Sequence, residues 1–318
     1  MFSCSKEQGT WRASPRGFTL VELLVVLTII ALLTSALLGA LYASQEAARA
    51  TQTRHTIAKL HQQVMIHWST YRTRRLRIAP RGTNESYTAF ATRRLELLWQ
   101  VMQAEMPDHY NEFLRHASVA SGSPFIVATW YNQVVQATPN PSQVANANQA
   151  AECLYLFVTL GARSEDDLPL RSREVGDTDR DGMLEFLDGW GQPIRWLRWA
   201  PGFQLPGVSP TPATGAAAED PFDPLKVSRL IQPANNSQWN NTPTGYMIPL
   251  IYSVGPDGAS GLNDPDSAPG GWPQFNRDWH PLSGFPSAGG TPLLRGAVVD
   301  ADLAADNIHN YLQQTSEP

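Results

Sequence analysis

Cysteine is nearly missing from this chain: two residues among 318, Cys4 and Cys153. Cys4 stands in a short basic stretch, too early and too polar to read as a lipid-anchored cysteine. That leaves Cys153, which opens the apolar run to Leu160, as a small buried hydrophobe, and it excludes a disulfide framework inside the folded part. The usual catalytic signatures are absent too. There is no G-x-S-x-G elbow, no H-E-x-x-H pair, no C-x-x-C pair and no phosphate-binding glycine loop, so an enzyme finds little to stand on. Only 17% of residues are charged and the net charge is −5, which argues against a general nucleic-acid binder; no nucleic acid is expected as a partner.

What is present begins at the N-terminus. Leu23 to Leu41 is nineteen residues without a charge, and Phe18 to Leu41 has the roughly 20-residue length that crosses a bilayer at 1.5 Å per residue. Lys6, Arg12 and Arg16 precede it, so the leader is expected in the cytoplasm and everything past Leu41 outside. One acid, Glu22, interrupts the apolar run. A carboxylate in the bilayer costs about 2.5 to 3.5 kcal/mol on insertion scales and is kept where it finds a partner. If the chain were cut after Gly17, the new ammonium of Phe18 would lie about one helical turn away, and a neighbouring subunit could offer the same group. Two plainer accounts compete. A secretory signal could be cut after Ala43, although its apolar region is ordinarily 7 to 15 residues and carries no acid. An uncut single-pass anchor would leave Glu22 without a reason.

The run from Arg16 to Leu33, R-G-F-T-L-V-E-L-L-V-V-L-T-I-I-A-L-L, resembles the class III leader and first helix of type IV pilins and type II secretion pseudopilins. The resemblance implies that a prepilin peptidase cuts after Gly17 and methylates Phe18, and that Glu22 guides packing against other pilin-like subunits. It also implies a single-pass inner-membrane protein with its head in the periplasm or outside the cell. The leader would be residues 1–17, the transmembrane half of the helix 18–41, its periplasmic half 42–78 and the head 79–318. The leader holds three cations and Glu7, so the mature chain would carry about −7.

Past the membrane the helical period continues. Ile57, Leu60, Val64, Trp68 and Tyr71 recur at steps of three or four and share one face of a helix running to about Arg75. His55, His61 and His67 recur every six residues, which scatters them round the helix as surface or rim residues. Arg72, Arg74, Arg75, Arg77 and Arg81 complement the dipole at its end, or offer a contact to nucleic acid or lipid headgroups. A second helix is expected from Tyr87 to His116, with Phe90, Leu95, Leu98, Val101 and Met102 as apolar positions and Pro107 dividing it. A third is expected from Gln143 to Leu160, stopped by Gly161. Strands are expected over Ile194–Trp199, Met247–Val254 and Leu293–Val299, with Pro249 pushing the second toward a sheet edge. The fold class is therefore α+β, a long N-terminal helix packed on a small antiparallel sheet with extra helices and long loops. Residues 205–224 and 264–292 read as loops; Trp272, Phe275, Trp279 and Phe285 either pin the second to the sheet or form a binding surface.

The segment 177–188 is the second strong feature. Asp177, Asp179, Asp181, Glu185 and Asp188 fall at positions 1, 3, 5, 9 and 12 of a calcium loop, with Gly182 at 6 and the Met183 carbonyl at 7. Leu184 at position 8 is expected to tie the loop to the core. Five carboxylates together repel unless a cation neutralises them, so Ca²⁺ is the expected cofactor; a solvated acidic turn is the plainer alternative. The flanks do not read as paired helices. Asp188-Gly-Trp-Gly-Gln-Pro-Ile194 is similar to the D-P-W-G-N-P-Y segment of major pseudopilins, and Ser253-Val-Gly-Pro-Asp-Gly258 to their S-x-G-x-D-G segment. That likeness implies a second metal loop over 255–266, with Asp257 matched and Asp264 and Asp266 as partners. Asp300-Ala-Asp302 resembles the family's closing element. Together these features point to a pilin-like or pseudopilin-like filament subunit with a calcium-stabilised head. The competing class is a surface-displayed, calcium-dependent binding or adhesion module that uses the prepilin export route, favoured by the size of the head and its aromatic loops.

Overall fold

The computed structural model describes residues 18–108, 148–161, 172–180, 182–200, 202–203, 221–225, 227, 249–264, 285–286, 292–293 and 295–313. It is an α+β, pilin-like arrangement, a long N-terminal helix with further helices and small antiparallel sheets. The chain divides into two compact units, Met1–Ala48 and Arg49–Pro318, and helix α1 (Leu20–Thr70) contributes to both.

In the first unit every large apolar side chain from Phe18 to Tyr42 is exposed, and α1 is long and apolar enough there to cross a membrane. Three hydroxyls within the apolar run are satisfied inside the helix. Thr28 donates to the Val25 carbonyl at 2.8 Å, Thr34 to Ile30 at 2.9 Å and Ser35 to Leu32 at 2.9 Å. A hydroxyl that back-bonds this way presents no unpaired polar group to a hydrocarbon phase.

In the second unit the expected stripe of α1 is the core. Ile57, Leu60, Val64, Trp68 and Tyr71 are all buried, and α1 closes in a 3₁₀ turn, Tyr71–Thr73, after which Arg74 is extended. The helix thus ends a few residues before the expected Arg75. Helix α2 (Tyr87–Glu105) starts at Ser86, whose hydroxyl accepts from the Ala89 N–H, and buries Leu95, Leu98, Val101 and Met102; Phe90 is only half-buried, beneath the Arg93 guanidinium. It ends at Glu105, just ahead of Pro107, where the expected division falls; residues 109–116 lie outside the described residues. Helix α3 (Gln149–Gly161) places Cys153 fully buried among Leu154, Phe157 and Trp196. Phe157 stacks on Trp196 with centroids 5.5 Å apart.

The sheet that receives these helices has three antiparallel strands in the order β3 (Arg195–Leu197), β4 (Leu250–Ser253), β7 (Ile308–His309). Register pairs Trp196 with Ile251 and Leu197 with Leu250. Trp196, Ile251 and Ile308 join the helical core, whereas Leu197, Leu250 and Tyr252 join a second cluster with Leu262, Val254 and Tyr311, so both faces of the sheet are covered. The expected edge position of the second strand is corrected: β4 is central. Pro249 stands just before its first residue, outside the ladder, where its missing N–H removes no strand pairing. Of the expected strand Leu293–Val299, the structure has a short pair, β5 (Phe285–Pro286) with β6 (Pro292–Leu293), and a single bridge from Val298 to Leu262.

Asn310 ties sheet to helix. Its Nδ2 donates to the Pro249 carbonyl at 2.9 Å and lies 3.0 Å from His61 Nδ1, while its Oδ1 accepts the Ile251 N–H at 2.9 Å. Because an amide nitrogen can only donate, His61 accepts at Nδ1 and is neutral there, in keeping with the burial that lowers its pKa. Buried charges supply the tie that disulfides do not. Asp108 pairs with Arg295, both fully buried, and also accepts the Arg198 N–H; Glu105 takes Arg74 and, at 2.7 Å, the Tyr71 hydroxyl.

Candidate functional sites at the helix start and in the acidic hairpin

At the start of α1 the sequence T-L-V-E forms a capping box. The Glu22 N–H donates to Thr19 Oγ1 at 3.2 Å, and the Thr19 N–H and hydroxyl reach back to Glu22 Oε2 at 3.5 and 3.4 Å. Two orphan donors of the helix terminus are met reciprocally, and an acid in the first turn complements the dipole. Glu22 therefore has an intramolecular role that the search for a cation overlooked, and the signal was legible as Thr-x-x-Glu before an apolar run. The carboxylate remains exposed, as does Phe18 at 74%. Gly17 lies outside the described residues.

The acidic segment is a hairpin, β1 (Val175–Gly176) paired with β2 (Glu185–Phe186), packed against α3. Its described carboxylates separate into different jobs. Asp177 shapes the turn, accepting the Arg180 N–H at 2.6 Å and the Gly182 N–H at 3.1 Å; Gly182 at φ +95° and Arg180 at φ +64° make the sharp bend. Asp188 faces the core, its Oδ1 accepting from Trp190 and Gln192 N–H and its Oδ2 from the Ser253 hydroxyl at 2.6 Å. Burial raises its pKa against those bonds. Asp181 lies outside the described residues. The expected anchor is corrected as well: Leu184 is exposed and Met183, just ahead of β2, is the residue buried in the core.

Asp179 and Glu185 converge instead with Glu152 on α3, an acid that motif spacing did not bring forward. Ligand oxygens of these three lie within 4.8 Å of one another, the single group of three or more such residues among those described. Asn148 (φ +66°) builds the junction: its carbonyl accepts from Ala151 and Glu152 N–H to start α3, and its amide donates to Thr178 Oγ1 at 3.0 Å and Asp179 Oδ2 at 3.5 Å. Glu185 is fully buried, accepts the Thr178 N–H at 3.1 Å, and has its pKa pushed up to about 7, first by burial and then, beyond what the Thr178 bond recovers, by the Asp179 charge. The lone clue to Glu152 was an acid set immediately before the apolar run Cys153–Leu160.

Residues 12–38 match the prokaryotic N-terminal methylation motif. This is a prepilin-type processing segment. The match covers Gly17, Phe18, Thr19 and Glu22, and it supports a processed, prepilin-like subunit of a pilus or secretion filament, a structural class of protein. No curated protein and no solved structure matches the chain.

Beyond the prepilin segment, the two head segments similar to pseudopilin elements are built around close approaches. In Asp188-Gly-Trp-Gly, a Cβ on Gly189 would stand 2.5 Å from the Arg49 carbonyl oxygen, and the Gly189 N–H donates to Thr53 Oγ1 at 2.9 Å. The turn is thereby pressed onto α1. In Ser253-Val-Gly-Pro-Asp-Gly, Gly255 (φ +72°) sits against Asp306, whose Oδ2 would be 2.8 Å from a Cβ there. Asp257 is exposed and accepts the Ala259 N–H at 2.9 Å. Asp264 is fully buried, taking the Ser260 hydroxyl and facing Arg195 at 3.9 Å. One is a surface turn residue and the other a core ion-pair partner; Asp266 lies outside the described residues.

Proposed function

We propose that this protein is a pilin-like or pseudopilin-like subunit of a type II secretion or type IV pilus-like filament. The prepilin peptidase cleaves it after Gly17 and methylates Phe18; it rests in the inner membrane with its leader in the cytoplasm and its head on the far side. The observation that carries this reading is the methylation motif over residues 12–38, joined to a helix in whose first part every large apolar side chain is exposed. Glu22 serves twice. In the single subunit it closes the capping box, and in the filament its exposed carboxylate receives the Phe18 ammonium of a neighbour. Coexpression with a prepilin peptidase tests the first step: mass spectrometry should find a chain beginning at N-methylated Phe18. Glu22→Ala should still be cleaved but fail to assemble. A Glu22→Ala chain that is still displayed and otherwise functions like the parent would favour a displayed binding module instead.

The head is further proposed to hold a calcium ion between Glu152, Asp179 and Glu185. Three carboxylates within 4.8 Å repel at neutral pH, and a hard cation that gathers six to eight oxygens removes that repulsion. Such an ion would bind the folded state alone and raise the unfolding midpoint by mass action. Thermal unfolding of the mature chain in detergent, with calcium and with chelator, should show a calcium-dependent rise that Glu152→Gln with Asp179→Asn abolishes. An equal rise in the variant would place the ligands elsewhere, and no rise in either would remove calcium from the account.

A further inference from the structure

We propose that the arginine tract of residues 72–81 is the cationic half of a contact between heads, docking on the acidic surface of Asp257, Asp300, Asp302 and Asp306 in a second copy of this chain. The inference rests on the filament reading above and adds to it a second, head-borne contact. The tract holds five arginines and no acid. Its form is built rather than loose. Tyr71 and Arg74 are both held by the buried Glu105. From Arg74 the backbone is extended, and exposure alternates: Leu76 and Ile78 are half-buried, Arg75 and Arg77 exposed. At the far end Arg81 lies 4.2 Å over the ring of Tyr87 and donates to the Glu85 carbonyl at 2.6 Å. Glu85 in turn takes the Gly82 N–H and the Arg93 guanidinium. The scaffold thus spends Arg74 and Arg93 on holding the segment and presents Arg72, Arg75 and Arg77 outward, with no ion pair among the described residues.

The acidic surface is its counterpart. Asp257, Asp300 and Asp302 are exposed and Asp306 is half-buried. Asp300 accepts the Asp302 and Leu303 N–H groups, which fixes the turn. Residues 249–264 and 296–307 contain no lysine or arginine, and none of the four carboxylates forms an ion pair among the described residues. They also repel one another: after burial, the Asp257 charge is what raises the Asp306 pKa. Two oppositely charged, organised surfaces on one chain, neither neutralised among the described residues, are what a heterologous, head-to-tail contact requires.

Other anions fit less well. The mature chain carries about −7, so with the five arginines of the tract set aside the remainder carries about −12. A long polyanion such as nucleic acid would have to lie against that excess.

The test is charge exchange in the peptidase-processed, full-length chain, with self-association followed by sedimentation and cross-linking in detergent or proteoliposomes. Arg75→Glu with Arg77→Glu should weaken association about tenfold, as like charges now face one another. Asp257→Arg with Asp302→Arg should do the same. The four substitutions combined should restore association to within about threefold, and association of the parent should weaken on raising salt to about 0.5 M. Protease resistance of each variant checks that the head is folded; should the Asp257 change disturb its turn, Asp302→Arg alone, whose carboxylate accepts no turn bond among the described residues, takes its place. Unaltered association in the arginine variant, or loss without restoration in the combined one, overturns the contact while leaving the filament intact. A parent chain that stays monomeric overturns the filament reading and this contact together.

Discussion

The two parts of α1 form one helix written for two environments. From Phe18 to Tyr42 the large apolar side chains are exposed all round, with no stripe; from Thr53 to Tyr71 only one face is buried. A helix apolar on every side wants lipid or other apolar helices, whereas a striped helix wants a single packed partner. The same backbone therefore serves as anchor and as core. The difference also says where damage should travel. A charge at Leu60, which is 1% exposed and lies inside the core, leaves a buried carboxylate with no partner. Leu60→Asp should cost at least about 4 kcal/mol and abolish the protease-resistant head, while cleavage after Gly17 and membrane retention continue. Leu32→Asp should do the reverse, impairing insertion and leaving head stability unchanged. The comparison breaks if either variant moves the other's readout.

Smaller perturbations sharpen it. Gly189 is a point where the head presses closely on α1, and the obstacle to a larger residue is backbone, the Arg49 carbonyl. Backbone cannot swing aside as a side chain can. Gly189→Ala should therefore cost about 3 kcal/mol, the upper end of overpacking, and lower the unfolding midpoint measurably; an unchanged midpoint would show that the turn can back away from the helix.

These contacts mark how far the sequence could be read. The apolar run, the stripe Ile57 to Tyr71 and the buried Cys153 follow from composition and period, which report burial one element at a time. What could not be read is pairing across distance. Asp108 meets Arg295 from the opposite end of the head, and Asn310 reaches His61 from near the last described residue. No local pattern distinguishes these from surface residues. The acidic segment was half legible: spacing found Asp179 and Glu185, but only the folded hairpin shows that Met183 enters the core and that Asp188 bonds Ser253. Position counting along a motif assumes a scaffold, and a hairpin orients alternate residues differently from a loop between helices. Pro249 taught the same lesson, since its cost depends on whether it falls inside the ladder or one residue before it.

Titration separates the head from the anchor further, because the head buries histidine. His309 lies against the rings of Phe203 and Tyr311, its Nδ1 has no hydrogen-bond partner among the described residues, and burial depresses its pKa to about 4. Between about pH 6.5 and 4 the unfolded chain binds a proton there that the folded chain refuses. Stability contributed by the neutral ring is thus lost as pH falls through that window, on the order of 2 kcal/mol by pH 5. Glu185 has the opposite slope: its raised pKa means the folded state holds the proton more tightly, so its burden grows as pH rises from about 4.5 to 7. Denaturant midpoints of His309→Gln should lose the acid-side fall and keep the Glu185 slope in chelator. An acid-side fall identical to the parent's would show that His309 is solvated in the fold.

The smallest expected effect belongs to the anchor. Thr19→Ala removes the hydroxyl that accepts the Glu22 N–H and the N-cap that starts α1, a loss of about 1 kcal/mol felt only in the first turn. Because the first unit has no packed core to spread that loss, amide exchange should quicken at Leu20, Val21 and Glu22 and nowhere in the head. Thr19→Ser keeps the oxygen and should behave as the parent. The result bears on assembly through Glu22, whose carboxylate is held beside the Thr19 N–H only while the box is closed. If opening the box releases the carboxylate for a neighbour's Phe18 ammonium, Thr19→Ala should assemble at least as well as the parent despite its frayed helix. Poorer assembly would mean that the box instead preorganises Glu22 for that contact, so that the cap and the intersubunit pair are successive uses of one rotamer.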